Sequence, residues 1–295
     1  MNDGMNDGAG SGVSGSPEVI VGLDPGDRSR AAVSWAAAEA RLRGLPLRLV
    51  VAVPWLVDTR SLGAGPERTT LRRQAGQVLE SAAAWAEGEY SPPELIMEIY
   101  DGSPVAALAA GSRHAQSVVV GSRGLSRLKE VLSAGSVVVP LAARALCPLV
   151  VAREPRSALP RQPRLVAGVD VDSPAAAALG FALEEAALRG AALSAVCVSR
   201  PPLLPFVHRQ RAAERRRGLL ERIVAEHSGG SPGVTVEQEV LSGDPVEELV
   251  RVSRTALALV VGRSPRHAGA GARIGRVVHG LLHRAECPVV VVPPR

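Results

Sequence analysis

The sequence predicts an α/β protein of two tandem domains, each an open five-stranded parallel sheet with helices on both faces. Short apolar strands without alternation recur, helix start signals fall between them, and the whole pattern occurs twice in 295 residues. Unalternating strands suit a parallel sheet covered on both faces. Alternation of strand and helix implies right-handed crossovers in an open sheet.

In the first copy the strands read VIVGL from Val19, LRLVVAV from Leu47, LIMEIY from Leu95, VVVG from Val118 and LVVA from Leu149. Ser103-Pro104 and, in the second copy, Ser173-Pro174 read as an N-cap followed by Pro at the first helical position. Asp244-Pro245 does the same, and Glu247 completes a capping box. The second copy then matches the first in order. VIVGLD ending at Asp24 matches LVAGVD ending at Asp170, and AAAEARLRG ending at Gly44 matches LEEAALRG ending at Gly190. GSPVAALAA from Gly102 matches GDPVEELVR from Gly243, and SVVVGSRG ending at Gly124 matches LALVVGRSP ending at Pro265. CPLVVAR from Cys147 matches CPVVVVP from Cys287. This is a duplication of one large unit, not a solenoid of short repeats.

The boundaries follow from composition. Residues 1–16, rich in Gly, Asn, Asp and Ser with a duplicated MNDG, read as a flexible tail or a misplaced start. Residues 17–153 form the first domain, 154–163 (EPRSALPRQP) a polar, Pro-rich linker, and 164–295 the second domain. The last strand of each copy, Cys147–Ala152 and Cys287–Val292, is very apolar and falls at a sheet edge, which invites pairing. The expected solution is edge-to-edge pairing within the chain, an internal pseudo-twofold dimer; a homodimer of such chains stays open.

Composition excludes several function classes. With 46% hydrophobic and 21% charged residues a packed core is expected, but aromatics are only 2%, which argues against stacking platforms for single-stranded nucleic acid. The net charge is +5, carried by Arg with Lys129 the sole lysine, and no DNA-binding motif accompanies it, so no specific nucleic-acid partner is expected. No apolar run reaches ~18 residues, and Met1–Ser16 lacks the apolar stretch of a secretory signal. A cytoplasmic protein without a membrane span is expected. An odd number of well-separated cysteines gives no disulfide framework, and Cys147, Cys197 and Cys287 read as buried small hydrophobes. His279, His283 and Cys287 have a spacing that can hold a metal, but Val139 and Ala143 in the matching places favour a solvated helix face. Arg215-Arg216-Arg217 likewise reads as an exposed helix face.

No catalytic constellation is visible: there is no Gly-x-Ser-x-Gly elbow, His-Glu-x-x-His, Walker segment or dinucleotide fingerprint. The chain is therefore not expected to be an enzyme, although a slow ATPase stays open. Three features of the first copy converge instead on an anion or nucleotide. Asp24 ends the first strand, at the carboxyl end where open α/β sheets bind ligands. A loop Gly121-Ser-Arg-Gly124 follows the fourth strand, and Gly135-Ser136 opens the last helix. Glycines let backbone amides approach phosphate oxygens, and the helix start adds donors and partial positive charge. Arg123, Arg127 and Lys129 in the same loop could neutralise phosphate. The bland alternatives are that Asp24 caps the next helix and that Gly121 and Gly124 only form a turn.

The constellation Asp24, Gly121, Gly124, Gly135, Ser136 and CPLVV from Cys147 resembles the universal stress proteins in their tandem form, from about Pro17 to Pro293. The resemblance implies strand order 3-2-1-4-5 in each domain and a stress-associated role. It also implies ATP, possibly with Mg²⁺, bound in the first domain by Asp24, Ala52, Gly121, Arg123, Gly124, Gly135, Ser136 and Val137, the backbone at Ala52 meeting the adenine. Two departures bear on that. Ten residues, not nine, separate Gly124 from Gly135, and Pro140 falls early in the last helix, where loss of a donor would strain the preceding turn. In the second copy Pro265 replaces the second loop Gly and Arg276 replaces the Ser, so that site reads as degenerate, with arginines left for another anion. A ligand-free scaffold is the alternative reading.

Overall fold

The structure, a computed structural model, describes residues 17–24, 30–53, 66–122, 137–154, 162–172, 176–200, 206–231, 233–264 and 274–294. Repeat one runs β1 (Val19–Leu23), α1 (Arg30–Arg43), β2 (Leu47–Val53), α2 (Pro66–Tyr90), β3 (Leu95–Asp101), α3 (Pro104–Gly111), β4 (Ser117–Gly121), α4 (Val138–Arg144) and β5 (Leu149–Ala152). Repeat two runs β6 (Arg164–Gly168), α5 (Ala176–Arg189), β7 (Ala192–Ser199), α6 (Phe206–Ser228), β8 (Val236–Ser242), α7 (Pro245–Ser253), β9 (Leu259–Gly262), α8 (Arg276–Arg284) and β10 (Val289–Val292).

All ten strands join one sheet, β3-β2-β1-β4-β5-β10-β9-β6-β7-β8. Each repeat therefore has the order 3-2-1-4-5. Pairing within a repeat is parallel. Where the repeats meet, β5 and β10 pair antiparallel, with Val150 opposite Val290 and Leu149 opposite Val291. The seam explains the composition of the last strands: every residue of LVVA and VVVV is buried, because each strand is central in the joined sheet. The outer strands differ. Glu237, Gln238 and Glu239 of β8 are exposed and guard that edge with charge, whereas β3 exposes Met97.

Helices cover both faces. One apolar cluster packs α1, α2, α5 and α6 on the sheet, and the other packs α3, α4, α7 and α8 on the opposite face. With few aromatics available, close approach supplies the packing. Ala32, Ala36, Ala37 and Ala40 of α1 are fully buried. At Gly22 a Cβ would lie 2.6 Å from a methyl of Leu108, so the Leu108 side chain of α3 packs close over the glycine and would have to move for any larger residue. Gly168 holds the same place under Leu249 of α7.

The repeats also share their helix ends and their grip on each other. Gly44 and Gly190, at φ of 64° and 57°, end α1 and α5 in the left-handed region that glycine enters without penalty. In both, the two amides that follow the helix bond back into its last turn: Gly44 to Arg41 and Leu45 to Ala40, Gly190 to Ala187 and Ala191 to Ala186. Just before these ends Arg43 pairs with Glu39 and reaches across to Glu184 and Glu185, while Arg189 pairs with Glu185 and reaches back to Glu39.

Two local expectations need correction. Pro140 causes no loss of a helical bond. Helix α4 begins at Val138, so Pro140 lies in its first turn, where amides have no intrahelical acceptor anyway, and the amide of Leu141 bonds to Val137 in the ordinary way. At α7, Asp244 caps as expected, accepting from the amides of Val246 and Glu247. Glu247 does not complete a reciprocal box; its carboxylate lies 3.7 Å from Arg284. Ser173 and Pro174 lie outside the described residues.

Candidate functional site

The carboxyl ends of β2, β1 and β4 lie side by side in repeat one, and β1 is the strand from which the order runs both ways. Such a switch point splays the connecting loops apart and leaves a crevice for ligands. Register places the candidate residues in it. Leu23 pairs with Val51 and Gly22 with Val120, so Asp24 follows on beside Ala52 on one side and beside the Gly121 end of β4 on the other. Adjacent strands are about 4.8 Å apart, so these positions span the width of one nucleoside. Asp24 is exposed, and Ala52 and Gly121 are half-buried. The amide of Ser122, one residue on, bonds to Ala152 of β5 and fixes the direction in which the chain leaves the sheet.

The rim beyond Ala52 is held by charge. Asp101, at the end of β3 opposite Val53, pairs with Arg68 at 3.0 Å and Arg72 at 2.7 Å. Arg68 and then Arg72 hold its carboxyl below the usual carboxylate range. Val137 caps the start of α4, half-buried against the apolar cluster beneath. Arg123, Gly124, Gly135 and Ser136, with Arg127 and Lys129, lie outside the described residues. The structure thus brings Asp24, Ala52 and Gly121 together and sets Val137 at the helix that follows the loop.

Repeat two repeats the frame with different chemistry. Asp170 stands in the place of Asp24, but its carboxylate accepts the amide of Asp172, a turn closed on itself. Arg263 stands in the place of Ser122. It is only 6% exposed and donates across the seam to the carbonyl of Ala142 in α4. Burial pulls its proton affinity below the usual guanidinium value. Arg153 makes the answering contact, donating to the carbonyl of Leu282 in α8. Ala142 and Leu282 are equivalent positions, so the two arginines tie the last helix of each repeat to the other repeat. Neither was recognisable beforehand: each sits just past a strand, and only the seam buries it.

A cleft of about 250 Å³ opens in repeat two between the start of α7 and one side of α8. Arg200, Asp244, Glu247, Arg276 and Arg284 line it together with Gly280. Arg200 lies 3.6 Å from Asp244. The amide of Glu247, then that of Val246, and Arg200 and Arg284 beyond them, depress the Asp244 carboxyl. Repeat one has Ser103, Ala106 and Pro140 where repeat two has Asp244, Glu247 and Gly280.

The remaining candidates fall into structural places. All three cysteines are buried. Burial pushes the Cys147 thiol up to about 12 and raises Cys197 and Cys287 as well, so none offers a thiolate at neutral pH. The rings of His279 and His283 meet at a tilt of 48°, with centroids 4.6 Å apart; burial, then His279 and Arg153, lower the proton affinity of His283. Among the described residues no group of three metal-ligating side chains gathers there or elsewhere. Arg215 and Arg217 are exposed on α6, and Arg216 pairs with Asp172 at 2.9 Å.

The universal stress protein family model matches residues 17–153 and again 163–293. A universal stress protein of Mycolicibacterium smegmatis is 32% identical over 291 residues, covering 94% of this chain and 97% of the relative. One from Mycobacterium bovis is 30% identical over 298 residues, covering 92% and 94%. Among solved structures, a universal stress protein from Archaeoglobus fulgidus superposes with a TM-score of 0.69 at 17% identity, covering 95% of this chain and 97% of that one.

Proposed function

The chain belongs to the universal stress protein family, and from that premise we propose that it binds one adenine nucleotide, ATP with Mg²⁺, in repeat one. Binding changes its shape or its partners in the cytoplasm, and turnover is not its task. The observation that carries the reading is the meeting of Asp24, Ala52 and Gly121 on three neighbouring strand ends at the switch point of a parallel sheet. A carboxylate, a strand-end backbone and a glycine there suit a ribose hydroxyl, an adenine edge and an approaching phosphate. In this reading Gly121, Arg123, Gly124, Gly135, Ser136 and Val137 take the ribose and phosphates, and the metal travels with the nucleotide. The start of α4 supports it too, since Pro140 leaves the first turn intact. No helix among the described residues is long and apolar enough to cross a membrane.

Repeat two supports a single site per chain. Pro265 in the place of Gly124 removes an amide, Arg276 replaces the hydroxyl of Ser136, and Arg263 is engaged with α4. Calorimetry of the intact chain with ATP and Mg²⁺ tests the reading. One site is expected, weakened at least tenfold (~1.4 kcal/mol) by Gly124→Asp, which sets a negative side chain against the phosphates. Unchanged affinity in that variant overturns the site. Absence of both heat and thermal shift overturns nucleotide binding and leaves the scaffold reading.

A further inference from the structure

The last helix of repeat one is closed by a residue of repeat two. The final carbonyls of a helix have no donor within it. In α4 the Leu141 carbonyl accepts the amide of Ala145, the residue that ends the helix, at 2.8 Å. The next carbonyl, that of Ala142, accepts Nη1 of Arg263 at 3.0 Å.

Arg263 is committed to this contact. Its amide donates to the carbonyl of Val292 at 2.7 Å, which pins its backbone beside the end of β10. Its side chain is buried, among the described residues no charged group offsets that burial, and its Nε has no hydrogen-bond partner. A guanidinium taken out of water with no carboxylate beside it is costly. What its charge meets instead is the carbonyl end of α4, which carries partial negative charge.

We propose that Arg263 is a positioning residue for the nucleotide site of repeat one, a role that rests on the nucleotide reading of that site: it holds α4 from the other repeat and so fixes the placement of Val137 at the helix start.

The distance to be bridged is short. From Val137 to Ala142 is ~7.5 Å along a helix axis. The Val137 carbonyl accepts the amide of Leu141 at 3.0 Å, so this bond, that of Ala145 to Leu141 and that of Arg263 to Ala142 secure the helix along its length. A helix of 7 residues is too short to be stable by itself, so outside contacts decide its order. Val138, Leu141 and Ala142 pack in the apolar cluster beneath it. That packing is non-directional, whereas the bond from Arg263 sets where α4 stands along its axis. Repeat two, whose own loop carries Pro265 and Arg276, thereby serves the ligand of repeat one. Arg153 makes the equivalent bond to Leu282, but it holds α8, which borders the charged cleft and not the Asp24 crevice. The two arginines share the seam and differ in the helix they hold.

Calorimetry of the full chain with ATP and Mg²⁺, paired with amide exchange in α4, tests this. Arg263→Met keeps an unbranched side chain and drops the charge. It is expected to weaken ATP about two- to fivefold, the range of one charge acting at a helix end, and to speed exchange of the Leu141 amide. Arg263→Lys, which retains a charge and a donor, is expected to recover most of both. Arg153→Met loosens the same seam and is expected to leave ATP affinity and Leu141 exchange unchanged. Equal weakening in Arg153→Met and Arg263→Met overturns the positioning role, as does full affinity in Arg263→Met; in both cases the nucleotide reading stands. No ATP binding by the unaltered chain overturns that reading and this role together.

Discussion

Set side by side, the two repeats agree where they touch and differ where they open. Both carry Glu and Arg at the crossing of α1 and α5, both end those helices on a left-handed glycine, and both bury an apolar last strand at the seam. Above the sheet the agreement stops. Ser103 begins α3 without a side-chain bond, whereas Asp244 begins α7 by accepting two amides. Ser122 leads out of β4, whereas Arg263 leads out of β9 and turns back to the other repeat. The difference teaches that a duplicated unit is constrained by its shared seam far more than by its ligand end. One repeat keeps a carboxylate, a backbone edge and a glycine on neighbouring strand ends, while the other gathers charge around a cleft between α7 and α8.

The largest expected effect lies at the shared crossing. Arg43→Ala leaves the two buried carboxylates to Arg189 alone and Glu184 without its partner, and should cost about 3–5 kcal/mol in denaturant unfolding. Arg189→Ala should cost less, since Arg43 then still serves Glu39, Glu184 and Glu185. Equal losses would break the asymmetry attributed to Glu184. Next come the paired glycines. A methyl at Gly22 meets Leu108 at 2.6 Å, while one at Gly168 meets Val261 at 3.1 Å. Gly22→Ala should therefore cost about 1–3 kcal/mol and Gly168→Ala about 1 kcal/mol or less. The reverse ranking would mean that α3 shifts more readily than α7. The smallest effect is at the helix starts. Asp244→Ala should lower Tm by about 2–4 °C and Ser103→Ala by nothing measurable. The Asp244 contribution is present above the ordinary aspartate range and fades as pH falls through its depressed value. A Tm difference that survives at pH 2 would point to packing instead of capping.

Much of this was legible in the residues. The strands are readable because a parallel sheet covered on both faces needs runs such as LRLVVAV with no polar alternation. Two last strands that are apolar throughout predict that β5 and β10 pair, because an exposed edge of that kind is untenable; the register that sets Val150 opposite Val290 is seen only in the structure. Asp24 follows from the rule that ligands bind at strand ends and Gly121 from the glycine loop after the fourth strand, whereas Ala52 is reached only through the family resemblance. The crossing was not read, although its signal was present. Glu39 falls on the stripe Ala32, Ala36, Glu39, Arg43, an otherwise buried face of α1, and Glu185 repeats it in α5. Glu and Arg four apart look like an ordinary surface pair, and only the antiparallel seam shows that they also exchange partners. Arg263 carries no such signal, since the carbonyl it meets lies 121 residues away. Pro140 misled because the start of α4 could not be fixed to within a residue, and a proline's cost depends on which turn it occupies.

The seam has one more consequence, for synthesis. Strand β5 is complete long before β10 leaves the ribosome, since β10 is made after every other strand of the sheet. At about 5–20 residues per second, the Leu149–Ala152 edge waits on the order of ten seconds for its partner. During that time the nascent first repeat displays an apolar template that another nascent chain of the same kind can occupy. Chain density on the messenger, and chaperones that shield strand edges, should therefore govern the yield of this protein more than the stability of its finished sheet.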